Sequence, residues 1–271
     1  MDEAVPEITY TTMLGEMFRC GKQNLGVLVQ ASLVFAIPGA ILGFFSMLYF
    51  RDLETLGTGS YLVTGPIGVV FQGLTLGAVT LIVAGALDGQ EVGAGTAARK
   101  ALQRVVSIVI AVFVASIAIY ISMMACFVPV LFVAPGLALT VPVLMVRPVG
   151  PLGAIEGSWR MTRGHRRAIL SAFVAVVLIS GTLNIGATVL FFFQGGVEAY
   201  FVSNPYRNLS MVSLVGVSVA YLFAALVGSI LIGTLATVFY VRIAEQAAVP
   251  VQAAEMVDEL PPPSGGGGAA A

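Results

Sequence analysis

Residues 105–146 run for 42 positions without one charged side chain. A stretch that long has few places to go. A soluble fold would have to hide all of it, whereas about 20 apolar residues cross the ~30 Å hydrocarbon core of a bilayer as one helix. In lipid the backbone must satisfy its own hydrogen bonds, so the run is expected to be helical and to cross twice. The breakers inside it are Pro129 and the pair Pro135 and Gly136. A turn at the pair leaves only residues 137–147, which at ~1.5 Å per residue span about half the core. A turn near Pro129 leaves a full fourth span with Pro135 as a kink, and that is the expectation.

Four more apolar runs follow the same logic, at about 24–50, 62–87, 168–193 and 211–241. The chain is 58% hydrophobic and 10% charged, with a mean hydropathy of +0.97, too apolar to coat a soluble surface. The first seven residues are acidic and lack the basic start of a secretory signal.

Charge placement orients the spans. The segments 99–104 and 147–167 are both strongly basic, and basic loops stay cytoplasmic. They share a side only if an even number of spans separates them, which gives six spans with both termini inside. Arg19, Lys22, Arg99, Lys100, Arg104, Arg147, Arg160, Arg163, Arg166, Arg167 and Arg242 then face the cytoplasm, and only Arg51 and Arg207 lie outside. The expected fold class is an all-α polytopic transmembrane bundle, six spans arranged as three helical hairpins. Its parts are a cytoplasmic amphipathic segment over 1–23, a membrane domain over 24–246, and a Pro/Gly/Ala tail over 247–271 with nothing to bury.

A short stretch mixing basic and apolar residues leads into each hairpin: TTMLGEMFRCGKQN at 11–24, GTAARKALQR at 95–104, and GPLGAIEGSWRMTRGHRR at 150–167. Helical spacing in the first puts Met13, Leu14, Met17 and Phe18 on one face. In the third, Pro151 suits a first helical turn, Leu152, Ile155 and Trp159 share a face, Glu156 and Arg160 stand four apart, and Gly164 is a natural stop. This helix is expected to lie flat in the headgroup zone with Trp159 as its anchor. The two cysteines, Cys20 and Cys126, suit neither a disulfide framework nor a structural zinc site. Cys20 sits where acylation is conceivable, or is simply a small apolar residue.

Little in the chain points to catalysis. The spans hold no Asp, Glu, Lys, Arg or His in their interiors, and His165, the single histidine, stands among arginines. No cofactor, no metal, no catalytic residue and no nucleic-acid partner is expected. Gln72 and Asn184 are the strongest candidates for an intramembrane polar path, beside Gln30, Thr75, Thr140, Ser218 and Tyr221. Such residues more often bond across a helix interface. Gly73 and Gly77 form a GxxxG pair, echoed by Ser229 and Gly233, and both mark close-packing faces.

Residues 135–170, PGLALTVPVLMVRPVGPLGAIEGSWRMTRGHRRAIL, resemble the signature of a bacterial membrane-domain family. That family is sometimes fused to glycerophosphodiester phosphodiesterases and often stands alone. The matching positions are Pro135, Gly136, Pro142, Gly150, Pro151, Leu152, Ala154, Ser158, Trp159, Thr162 and Gly164. Arg147 stands where the family usually has Glu, and Gly157 where it has a basic residue. The resemblance implies a six-helix inner-membrane bundle without the phosphodiesterase barrel.

Two functions are therefore expected. One is a non-enzymatic scaffold or binding module whose cytoplasmic face, at Trp159, Arg160, Arg163, His165, Arg166 and Arg167, meets anionic headgroups, a protein partner or a second copy of the chain. The other is a permease-like component for an uncharged or lipidic substrate, using Gln72 and Asn184.

Overall fold

The computed structural model describes residues 8–51, 57–125, 129–195 and 210–247. Arg207, Cys126 and most of the expected tail lie outside them. The described chain is helical with no strand: α1 (Tyr10–Gln23), α2 (Leu25–Arg51), α3 (Gly57–Leu87), α4 (Ala94–Gln103), α5 (Val105–Met124), α6 (Val130–Leu137), α7 (Thr140–Val146), α8 (Pro151–Met161), α9 (Arg166–Gly195) and α10 (Met211–Gln246). Five of these, α2, α3, α5, α9 and α10, are long and apolar enough to cross a bilayer, the pattern of a multi-pass membrane protein. Their outward faces expose Phe45, Phe113, Leu178 and Phe223. A surface of that kind belongs in lipid.

The centre of the bundle is α3. Its spanning stretch is 61% buried, against 24% or less in the other four, because α2, α10, α4, α5 and α7 all pack on it. The expected close-packing faces are used within the chain. A Cβ at Gly73 would come within 2.9 Å of Ile108 on α5, and one at Gly233 within 2.7 Å of Val79 on α3. Beside the latter contact, the hydroxyls of Thr237 and Thr80 meet at 3.3 Å.

The stretch expected as a fourth span kinked at Pro135 is interrupted. Residues 130–146 form two short helices, α6 and α7, interrupted at Ala138 and Leu139. Pro135 has no N–H to give to the ladder, and just beyond it side chains bond the backbone groups around the break. The Thr140 hydroxyl donates to the Leu137 carbonyl at 2.7 Å. Ser158, from α8, donates to the Gly136 carbonyl at 2.7 Å and accepts from the Leu139 N–H at 3.2 Å. These three bonds hold the break in place.

The chain from α5 to α7 leaves and returns to one end of the bundle, because Arg104, before α5, donates to the carbonyls of Leu144 and Arg147. A guanidinium there satisfies carbonyls that the end of α7 leaves open. Arg147 donates to the Tyr240 hydroxyl at 3.2 Å. Arg242 holds Glu16 of α1 with two bonds of 2.8 and 2.9 Å, and Glu245 at 2.8 Å. These links gather α1, the start of α5, the end of α7 and the end of α10 at one end.

All three lead-in stretches are helices, α1, α4 and α8, preceding α2, α5 and α9. Two of their expected faces shift. In α1 the buried stripe is Met13, Met17 and Cys20, packed on the bundle, while Phe18 stays exposed. Burial pushes the Cys20 thiol above its ordinary pKa, so it is a neutral packed group rather than a reactive surface thiol. In α8 the buried residues are Ala154, Gly157 and Ser158, and Leu152 points outward. Small side chains let the α8 backbone approach α5, α6 and α7, and that close approach overrides the larger apolar stripe.

Candidate functional site

The arginine segment is built on the turn from α8 to α9. Pro151 occupies the first turn of α8 as expected. At its other end the Thr162 N–H donates to the Ser158 carbonyl at 3.0 Å and the Thr162 hydroxyl to the Trp159 carbonyl at 3.2 Å. Gly164 then takes φ +91°, a conformation costly for any side chain but glycine. The His165 N–H donates to the Thr162 carbonyl at 3.1 Å, and α9 begins at Arg166.

Trp159, expected as an anchor among headgroups, has partners within the protein. Its half-buried ring lies against Gly136 so closely that a Cβ there would run into it. The Arg166 guanidinium stacks over the same ring, 4.3 Å from its centroid, a cation–π contact. Arg166 also has a buried Nε without a hydrogen-bond partner among the described residues.

The expected basic cluster therefore divides. Arg104, Arg147 and Arg242 are tied into the fold, and Arg166 is half committed to Trp159. Arg160, Arg163 and Arg167 are exposed. Among the described residues no carboxylate lies within ion-pair reach of these three. The expected pair of Glu156 and Arg160 is not formed, as befits two exposed side chains whose pairing repays little of their lost freedom. His165 makes no side-chain hydrogen bond among the described residues. On the same end, Asp88 has its carboxyl pushed above the usual range by burial and by Glu245.

Among the described residues no group of three His, Cys, Asp or Glu could hold a metal ion.

The second candidate is a cavity of ≈ 490 Å³ walled by α2, α3, α9 and α10. Gln72 and Asn184 both line it, together with Thr75, Ser180, Ser218, Tyr221 and Ser229, and no charged residue does. Of the polar residues singled out from sequence, only Gln30 and Thr140 lie elsewhere. Bonding across helix interfaces was the commoner expectation, but three of these groups bond their own helix. Thr75 donates to the Phe71 carbonyl, Ser180 to the Val176 carbonyl, and Asn184 Nδ2 to the Ser180 carbonyl. Tyr221 and Thr188 bond between α10 and α9, at 3.0 Å. The Gln72 carboxamide has no hydrogen-bond partner among the described residues and is exposed to the cavity.

Helix rise places the cavity in depth. Gln72 is about 10 Å along α3 from Gly65, and Asn184 about 27 Å along α9 from Arg166. The cavity lies in the half of the bundle remote from the arginines. Gln72 also lines a second cavity of ≈ 230 Å³, bounded by α5, α10 and the break between α6 and α7, where Thr140 sits. Ser180 and the small residues of the walls escaped sequence reasoning, and Ser229 was expected only on a close-packing face, because such residues are common throughout membrane helices.

Comparison of the chain with known protein families, with curated proteins and with solved structures found no match.

Proposed function

We propose that this is a non-enzymatic inner-membrane protein whose cytoplasmic arginine end binds anionic lipid headgroups. One observation carries the reading: around the turn from α8 to α9, Arg160, Arg163 and Arg167 are exposed and have no carboxylate partner among the described residues, whereas Arg104, Arg147 and Arg242 are engaged by the fold. Arginine forks match phosphate geometry, and each basic residue beside an anionic leaflet contributes about 1 kcal/mol. Counting α6 and α7 as one interrupted crossing gives six spans, three hairpins and both termini inside. The return of α7 to the Arg104 end supports that count. The resemblance of residues 135–170 to the six-helix membrane-domain family favours the same architecture.

The test is lipid retention by the full-length chain, read by native mass spectrometry from mixed phosphatidylglycerol and phosphatidylcholine micelles. Each of Arg160→Gln, Arg163→Gln and Arg167→Gln lowers phosphatidylglycerol retention about fivefold. A triple variant that keeps phosphatidylglycerol like the parent protein would end this reading and leave the arginines as orientation signals only.

A second reading, a permease-like protein for an uncharged or lipidic substrate, is favoured by the chargeless cavity on which Gln72 and Asn184 converge.

A further inference from the structure

We propose that the cavity between α2, α3, α9 and α10 is a binding site for an uncharged acyl lipid of the diacylglycerol class, its hydroxyl or ester groups held by Gln72. The proposal rests on the second reading above and is independent of the arginine end. Four observations converge on that ligand.

The cavity has the volume of an ordinary small-molecule site, ~300–1,000 Å³, and lies within the apolar belt of the bundle. Its walls carry no charge, so an ionised headgroup would enter without a counter-charge at a depth where that is costly. Of its hydroxyls, those of Thr75 and Ser180 are already bonded to their own helices and that of Tyr221 to Thr188 of α9. The Gln72 carboxamide is not, and it offers both donors and an acceptor. In a site bordered by lipid, an amide left without a partner is destabilising, so a neutral ligand that bonds it gains affinity from that contact. A ligand with hydroxyl and ester oxygens supplies such a bond, and its chains suit walls of Ala, Gly, Phe and Leu.

The small residues of the wall show where the chains have room. A Cβ built at Gly68 of α3, or at Gly43 of α2, meets nothing within 4 Å, although both residues line the cavity. A larger side chain at either position would grow into the cavity without a clash at its root. Glycine is a poor helix former, so such a change also favours the helix. Filling the site and keeping the fold are therefore compatible.

The experiment places the full-length protein in phosphatidylcholine nanodiscs with a photoactivatable diacylglycerol, and in parallel with a photoactivatable phosphatidylglycerol carrying the same chains. The diacylglycerol probe labels peptides of α2, α3, α9 and α10. Gln72→Leu reduces that labelling about fivefold, the loss of one hydrogen bond. Gly68→Leu, which fills the cavity, reduces it by more than about tenfold. Melting curves confirm that each variant is folded; should Gly68→Leu not fold, Gln72→Leu decides alone. Replacing Arg160, Arg163 and Arg167 with Gln leaves the diacylglycerol labelling unchanged, so failure of the headgroup reading and failure of this one are told apart. Equal labelling by both probes that ignores Gln72→Leu would overturn the proposal, since the cavity would then only collect lipid chains. Absence of diacylglycerol labelling in the parent protein would overturn it as well.

Discussion

Ser158→Ala is expected to destabilise the protein by about 2–4 kcal/mol, although it removes one oxygen atom. The Ser158 hydroxyl donates to the Gly136 carbonyl and accepts from the Leu139 N–H. Both Ser158 and Leu139 are 0% exposed. Alanine leaves both backbone groups without that partner at a fully buried position, and each orphaned group costs ~1–3 kcal/mol. Unfolding in bicelles, followed by denaturant titration, measures the difference. Ser171→Ala is the control, because that exposed hydroxyl bonds only a carbonyl of its own helix. It should change stability by less than about 0.5 kcal/mol. Equal effects of the two substitutions would mean that the break between α6 and α7 does not depend on Ser158.

The second large effect is at Gly136. Any side chain there collides with the Trp159 ring, so Gly136→Ala must push the indole away from α6 and from beneath Arg166. Overpacking of this kind costs about 1–3 kcal/mol, and loss of the stacking adds ~0.5–2 kcal/mol. The cost should depend on the indole. In a Trp159→Leu background, Gly136→Ala is expected to cost under about 1 kcal/mol, a coupling that a double-mutant cycle reads directly. Additive effects would show that the two residues do not share one contact.

These two contacts show what a sequence conveys about this fold and what it hides. Long apolar runs announce α2, α3, α5, α9 and α10, because a crossing helix needs little besides length and apolarity. The interruption between α6 and α7 is different in kind. It depends on a serine about twenty residues away in α8, and no property of residues 130–146 contains that information. The lead-in helices are recognisable from their mixed composition, yet the buried faces of α1 and α8 are not. Close packing of Ala154, Gly157 and Ser158 produces no hydrophobic stripe.

The functional residues divide the same way. Gln72 and Asn184 stand out because a carboxamide inside an apolar run is rare, and they do meet in one cavity. The glycines that shape its walls cannot be told from other membrane glycines. The arginines are easily counted, but which of them are engaged depends on distant partners. Arg242 finds Glu16 across 226 positions, and Arg104 finds the end of α7 across 40 or more. The segment GSWRMTRGHRR thus joins two roles: Ser158 and Trp159, with Arg166 stacked on the indole, lock the interrupted crossing, and Arg160, Arg163 and Arg167 face outward.

The orientation of that segment is the claim on which the rest depends. It is tested by cysteine labelling in bacterial cells, on a full-length chain whose Cys20 and Cys126 are replaced by alanine. Ser210→Cys, at the start of α10, should react with a membrane-impermeant maleimide once the outer membrane alone is opened. Arg163→Cys should react only after the inner membrane is permeabilised. Labelling of Arg163→Cys from outside intact inner membranes, or of both positions from the same side, would contradict the six-crossing arrangement and the cytoplasmic arginine end with it.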